Sequence, residues 1–419
     1  MCGSDAHDVP ARDPGAPEFP WDAGAFDAHC HPTDTMGSIE DIPQMKARTL
    51  TAMATRSQDQ DLVADVASTL GLTARSGLSS ASTSVIPSFG WHPWFSHQLV
   101  DDRDPSSAQM PATDAGDEAV QEFKKQHYTS ILSPPPKDPA FIAQLPTPMS
   151  LSSFLDATRS RAASHPVALI GEIGLDKAFK LPDKWAENAP ARDEALTPGG
   201  REGRRLSPHG VAMAHQISIL QAQLRLAGEL QLPVSVHGVQ AHGVLYDAIA
   251  ALWKGHEKDV LSRRERRRVA PHAEDWSSST EDEEDGEERG AEPKEAKPEQ
   301  EGQKKGDPKP YPPRICLHSF GGSTEVLRRY IKPAVPADVY FSFSTAINLS
   351  TPSGHDRFAE AVKEVPDERI LVESDLHTAG PRMDDALEDM YRRVCEKKGW
   401  ELREGVERIG RNYKAFVFG

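Results

Sequence analysis

Cysteine is scarce in this chain of 419 residues, and long apolar runs and any excess of basic charge are missing. The four cysteines (Cys2, Cys30, Cys316 and Cys395) lie far apart and form no CxxC pair. That argues against a disulfide framework and fits a reducing compartment, cytoplasmic or nuclear. No run of about 18 apolar residues occurs, so neither a membrane helix nor a membrane partner is expected. The first 20 residues are rich in Asp, Pro, Ala and Gly. They lack the basic-then-apolar order of a signal peptide and read as a disordered tail. The net charge of −16 is the opposite of the basic footprint by which proteins grip nucleic acid through charge alone. It leaves room for a nuclease whose positive charge comes from bound metal. Half of this charge is local, since residues 274–306 hold 13 acidic and 5 basic residues.

Hydrophobic residues make up 37% of the chain, which is low for one compact unit of this length. A normal core carrying long polar insertions accounts for it. Eight strand-like segments recur: Ala25–Cys30, Leu50–Thr55, Ser84–Gly90, Val167–Gly171, Pro233–His237, Arg314–His318, Val339–Phe343 and Arg369–Glu373. Helical periodicity falls between and after them, at Gln58–Leu70, Leu151–Ala163, Ala212–Leu230, Val244–Lys254, Thr324–Tyr330, Asp356–Val365, Asp384–Lys398 and Leu402–Phe416. Eight strands alternating with helices predict an α/β fold, a (β/α)8 TIM barrel over residues 21–419, as a single domain. Chemistry in such barrels sits at the C-terminal strand ends. Three insertions interrupt it, at 101–148, 177–208 and 258–313. The last runs from an Arg cluster (Arg263, Arg264, Arg266, Arg267, Arg268) into the acidic stretch, and its composition predicts disorder.

The strand ends carry a repeated chemistry. The first strand closes on Asp27-Ala28-His29-Cys30-His31. Alternate residues of a strand share a face, so His29 and His31 form a chelating pair while Cys30 points into the core. The fourth delivers Glu172 between Gly171 and Gly174, the fifth ends at His237, the sixth at His318 and the eighth at Asp375. One such histidine is ordinarily a hydrogen-bonded core residue, and one such glutamate an ion-pair partner. Four imidazoles and two carboxylates, all at strand C-termini, form a ligand set suited to zinc, manganese or similar ions.

These motifs resemble the TatD-type metal-dependent deoxyribonucleases of the amidohydrolase superfamily. The resemblance rests on Asp27-Ala28-His29-Cys30-His31, Gly90-Trp91-His92-Pro93, Gly171-Glu172-Ile173-Gly174-Leu175-Asp176, Leu232-Pro233 to His237, Leu317-His318-Ser319-Phe320-Gly321-Gly322 and Glu373-Ser374-Asp375. It spans nearly the whole barrel in family order. The long insertions and the Glu-Ser-Asp-Leu-His run resemble a fungal branch named for interaction with a TPR-repeat subunit of the anaphase-promoting complex. The resemblance implies two divalent ions (Mg, Mn or Zn). His29, His31 and Asp375 would hold one, His237 and His318 the other, and Glu172 would bridge both. Asp375 and Glu172 become the expected catalytic residues, with Asp375 steering the attacking water. His92 and His377 become expected substrate contacts. The implied substrate is DNA or another phosphodiester, attacked at DNA ends. Two departures fall on the substrate side: no Arg follows His237 by two residues, and Leu376-His377 stands where the family often has Pro. Two alternatives remain beside the nuclease: hydrolysis of a small-molecule amide or ester, and an adaptor that binds a TPR-repeat scaffold.

Overall fold

The computed structural model describes residues 15, 17–74, 83–112, 114–186, 191–260 and 308–419. Eight parallel strands form one sheet in chain order: β1 (Phe26–Cys30), β2 (Thr49–Met53), β3 (Ser84–Phe89), β4 (Leu169–Asp176), β5 (Val234–Val239), β6 (Arg314–Leu317), β7 (Asp338–Phe343) and β8 (Ile370–Val372). They are mostly apolar and mostly buried, as strands covered on both faces must be, with charged and imidazole side chains confined largely to their ends. The two ends of the sheet meet beyond the last ladder. Asp375 N–H donates to the His29 carbonyl at 3.0 Å, and His31 N–H to the Leu376 carbonyl at 2.8 Å. The result is the expected (β/α)8 barrel, joined where its first and last ligand-bearing segments touch.

The helices are α1 (Gln60–Leu70), α2 (Asp117–Ile131), α3 (Pro139–Gln144), α4 (Leu151–Ala163), α5 (Met213–Leu230), α6 (His242–Ala250), α7 (Thr324–Tyr330), the short α8 (Thr345–Asn348), α9 (Pro352–Glu364), α10 (Pro381–Lys398) and α11 (Leu402–Phe418). The main core lies between strands and helices, joining residues such as Leu50, Val85, Val236 and Phe341 to Leu224, Leu327, Phe358 and Met390. A second cluster gathers Phe26, Ile86, Leu169, Tyr340 and Leu371 with Tyr413, Phe416 and Val417 of α11. The Phe26 and Tyr413 rings stack 4.6 Å apart there.

Three expectations change. β4 runs on past Gly171 to Asp176, because Ile173 to Asp176 pair in register with Val236 to Val239. Its glycines permit this approach. A Cβ on Gly174 would lie 2.2 Å from the His237 carbonyl oxygen, and one on Gly171 would lie 2.8 Å from Ser88 Oγ. The tail expected over residues 1–20 ends earlier than that. Phe19 is buried and packs its ring on Trp21 and Tyr391, at 4.5 and 5.8 Å. The rest of that stretch, apart from residue 15 and residues 17–20, lies outside the described residues. The insertion at 101–148 contains α2 and α3, which pack Tyr128, Ile131, Phe141 and Ile142 onto Leu181 and Val211. A short antiparallel pair, Leu132–Ser133 with Gly210–Val211, ties it to the end of the 177–208 insertion. Of the segment 258–313, expected to be disordered, residues 261–307 lie outside the described residues, while at its two ends Lys258 N–H donates to the Ala334 carbonyl at 2.9 Å and Tyr311 is buried. No helix among those described is long and apolar enough to cross a membrane.

Candidate metal centre

Glu172 stands at the middle of the C-terminal mouth, held by β4 and 3% exposed. Its two oxygens face two groups of imidazoles. Oε2 lies 3.4 Å from His29 Nε2 and 3.3 Å from His31 Nε2. Asp375 Oδ1 completes this side, 3.5 Å from His31 Nε2 and 3.8 Å from His29 Nε2. Oε1 lies 2.8 Å from His237 Nδ1, 2.8 Å from His318 Nε2 and 3.1 Å from His92 Nε2. All six residues named as ligands from the sequence therefore meet in one place, and His92 joins them.

The backbone explains why these side chains converge. His29 and His31 bracket the end of β1, and their Nε2 atoms come within 3.1 Å of each other. His237 and His318 sit on neighbouring β5 and β6, with His237 Nδ1 3.2 Å from His318 Nε2. Asp375 has a left-handed backbone, φ 53°, which a short polar residue tolerates, and this follows β8 directly.

The donor set fits divalent cations. Nitrogens crowd each carboxylate oxygen and face one another at 3.1 and 3.2 Å, an arrangement of converging lone pairs. Three groups of side chains have the spacing of a metal site: His29, His31 and Asp375; His29, His318 and Glu373; and His92, Glu172 and His237. The electrostatics agree. Burial pushes the Glu172 carboxyl up, but the imidazoles of His92, His318, His29 and His237 outweigh it and hold the pKa well below the carboxylate range. Burial opposes charge on His31, but Asp375 and Glu172 outweigh it and push its pKa up to about 10. His92 goes the other way. Burial dominates and brings it down to about 4. Its Nδ1 accepts the Trp94 N–H at 3.1 Å, which leaves the proton on Nε2 facing Glu172.

A second ring of polar groups orients the imidazoles, and the sequence reading gave these no role. Ser235 Oγ lies 2.8 Å from His29 Nδ1. Asp176 Oδ2 lies 3.3 Å from His237 Nε2 and accepts the Trp94 indole N–H at 2.6 Å. Glu373 Oε1 lies 3.5 Å from His318 Nδ1 and accepts from Ser319 N–H and Oγ. Strand alternation was the available signal for Asp176, four residues beyond Glu172 on the same face of β4. His377 occupies the outer edge. Its ring stacks on His31 with centroids 5.2 Å apart, and its Nδ1 lies 2.7 Å from Asp34 Oδ2. Asp34 in turn takes the buried Arg56 guanidinium at 2.8 Å.

Comparison with known proteins gives consistent matches. The family model described as TatD related DNase matches residues 26–417. The Cut9-interacting protein scn1 of Schizosaccharomyces pombe is 36% identical over 392 residues, 94% of this chain and 98% of that protein. An uncharacterized deoxyribonuclease of Saccharomyces cerevisiae is 23% identical over 408 residues, 93% of this chain and 98% of that one. A crystal structure of a TatD-family hydrolase from Entamoeba histolytica superposes with a TM-score of 0.49 at 12% identity, covering 94% of this chain and 98% of the other.

Proposed function

Because this chain belongs to the TatD-related DNase family, metal-dependent hydrolases acting on ester bonds, we propose that it hydrolyses phosphodiester bonds at DNA ends with two divalent ions at the Glu172 cluster. The observation that carries this reading is the division of imidazoles between the two oxygens of one buried carboxylate. His29, His31 and Asp375 would hold one ion, His237 and His318 the other, and Glu172 both. Such ions supply positive charge to the phosphate and lower the pKa of a bound water. The remaining work falls to the protein. Asp375, at the solvent edge of the cluster, accepts a hydrogen bond from the attacking water and fixes its line of approach. Asp176 holds His237 in the tautomer that points the Nδ1 lone pair inward, and Glu373 places its carboxylate 3.5 Å from His318 Nδ1. His377, at the mouth and aligned by Asp34, donates to a non-bridging phosphate oxygen. His92 sits deeper, against Glu172, and reaches the phosphate only from that side.

The test pairs metal content with activity. Wild-type protein should carry about two ions per chain and degrade single-stranded DNA from an end with magnesium or manganese. Glu172→Ala should lose bound metal and at least about 100-fold of the rate, the scale seen when a charge-stabilising group is removed. Metal-loaded wild type without nuclease activity would favour a small-molecule ester or amide substrate. Absence of bound metal would sink both enzymatic readings. A second reading, partner binding, draws on the fission yeast relative, a Cut9-interacting protein. Binding to a TPR-repeat partner by the Glu172→Ala variant would show that scaffold binding and hydrolysis are separate properties of this chain.

A further inference from the structure

Beside the Glu172 cluster stands an aromatic pair with no part in metal binding. Trp94 and Phe179 stack with centroids 5.0 Å apart and planes 12° from parallel. Both are half-buried and sit on segments that follow strand C-termini, after β3 and β4. The indole lies edge-to-face with His92, centroids 4.7 Å apart, and with His237, centroids 6.1 Å apart. Asp176 fixes this arrangement. Its Oδ1 accepts the Ala178 and Phe179 N–H groups at 2.7 and 2.9 Å, setting the turn that presents Phe179. Its Oδ2 accepts the Trp94 indole N–H and faces His237 Nε2. One carboxylate therefore places a cluster imidazole and two stacked rings in a fixed relation.

Half-exposed aromatic rings beside a phosphodiester site bind the flat face of an unpaired base, and do so with little regard to sequence. We propose that Trp94 and Phe179 form a stacking subsite for the unpaired nucleobase next to the scissile phosphate. This rests on the phosphodiesterase reading above and adds a mode of recognition: the substrate end is bound through an unpaired base as well as a phosphate. A base held there sits within one nucleotide of His92 and His237, the imidazoles on the Oε1 side of Glu172. The subsite also supplies affinity without basic side chains, as a chain of net charge −16 requires.

The test is equilibrium binding to the calcium-loaded protein, with cleavage in manganese measured in parallel. The probes are a short fluorescein-labelled oligo-dT and an oligomer of equal length made of abasic tetrahydrofuran residues. Wild type should bind oligo-dT about tenfold more tightly, within the range of base–aromatic stacking. Phe179→Leu and Trp94→Ala should lose this preference, and Trp94→Phe should keep part of it. Equal wild-type affinity for the two oligomers overturns the subsite, as does a preference that survives both Phe179→Leu and Trp94→Ala, or failure to bind either oligomer. The wild-type comparison stands even where a variant fails to fold. Preference without manganese-dependent cleavage would uphold the subsite and sink the DNA-phosphodiesterase reading. Cleavage without preference would sink the subsite alone.

Discussion

At the scale of single residues the cluster works through partners that its ligands cannot choose for themselves. A neutral imidazole ligates with one nitrogen and must place its proton on the other. For His237 the second nitrogen meets Asp176, whose carboxyl burial would push up but His237 and Trp94 hold well below the ordinary range. Asp176→Asn keeps the shape and removes the charge. It should weaken metal binding about 10- to 100-fold, as loss of an orienting carboxylate does elsewhere. Titration calorimetry on metal-stripped protein reads this directly, and an unchanged affinity would show that His237 needs no such support. That His29, His31, Glu172, His237, His318 and Asp375 gather on one rim was legible in the sequence, because strand alternation and strand-end position are one-dimensional facts. The face that Asp176 occupies follows from the same alternation, but its hold on Trp94 does not: that depends on a 2.6 Å contact between residues 82 apart, which no spacing encodes.

At the scale of elements, the insertion at 101–148 shows how a polar stretch folds onto a barrel. Helix α2 buries Phe123, Lys124, His127, Tyr128 and Ile131, a helical stripe in which Lys and His occupy positions usually held by aliphatics. That substitution hid it from a hydrophobic-period reading. The turn after β3, which carries His92 and Trp94, is held by two buried histidines, His97 and His127, and the half-buried His215. His97 Nδ1 faces the Trp94 carbonyl at 3.1 Å, His127 Nε2 the His97 carbonyl at 2.9 Å, and His215 Nε2 the Ser96 carbonyl at 3.0 Å. Carbonyls only accept, so each of these nitrogens carries a proton, and each ring can remain neutral. Burial depresses all three pKa values, to about 3 for His97 and about 4 for His127. A histidine whose folded pKa is depressed binds protons more readily when unfolded. Its stabilising contribution is complete above pH about 6.5 and is lost as pH falls toward the folded values. Each such histidine adds a slope of up to about 1.4 kcal/mol per pH unit in that window. Urea midpoints should therefore fall between pH 7 and pH 4.5, and the fall should be shallower in His127→Gln, which keeps an N–H for the His97 carbonyl but cannot titrate. An identical pH profile for the two proteins would show that the fold leaves the His127 pKa where it stands in the unfolded chain.

At the scale of the whole molecule, the barrel was readable from the count and order of its strands, because eight short strand-like segments alternate with helical periodicity along the chain. What joins the barrel to its insertions was not. The pairing of Leu132–Ser133 with Gly210–Val211 and the burial of Phe19 both join segments remote in sequence through a few residues. The same scale decides how DNA is bound. A protein that grips phosphates with many Lys and Arg side chains releases counterions, and its affinity falls steeply with salt, by a slope near −0.7 for each phosphate neutralised on a single strand. Here the net charge is −16, and the guanidinium linked to the mouth, Arg56, is already engaged by Asp34 and Asp59. Charge for the phosphate would come from ions at the Glu172 cluster and the remaining affinity from the Trp94–Phe179 pair. The logarithm of affinity for single-stranded DNA in calcium should thus fall with the logarithm of salt concentration with a slope of only about −1 to −2. Fluorescence anisotropy across a salt series measures it. A slope steeper than about −4 would mean that several cationic side chains meet the backbone, and that the acidic balance of the chain conceals a basic groove.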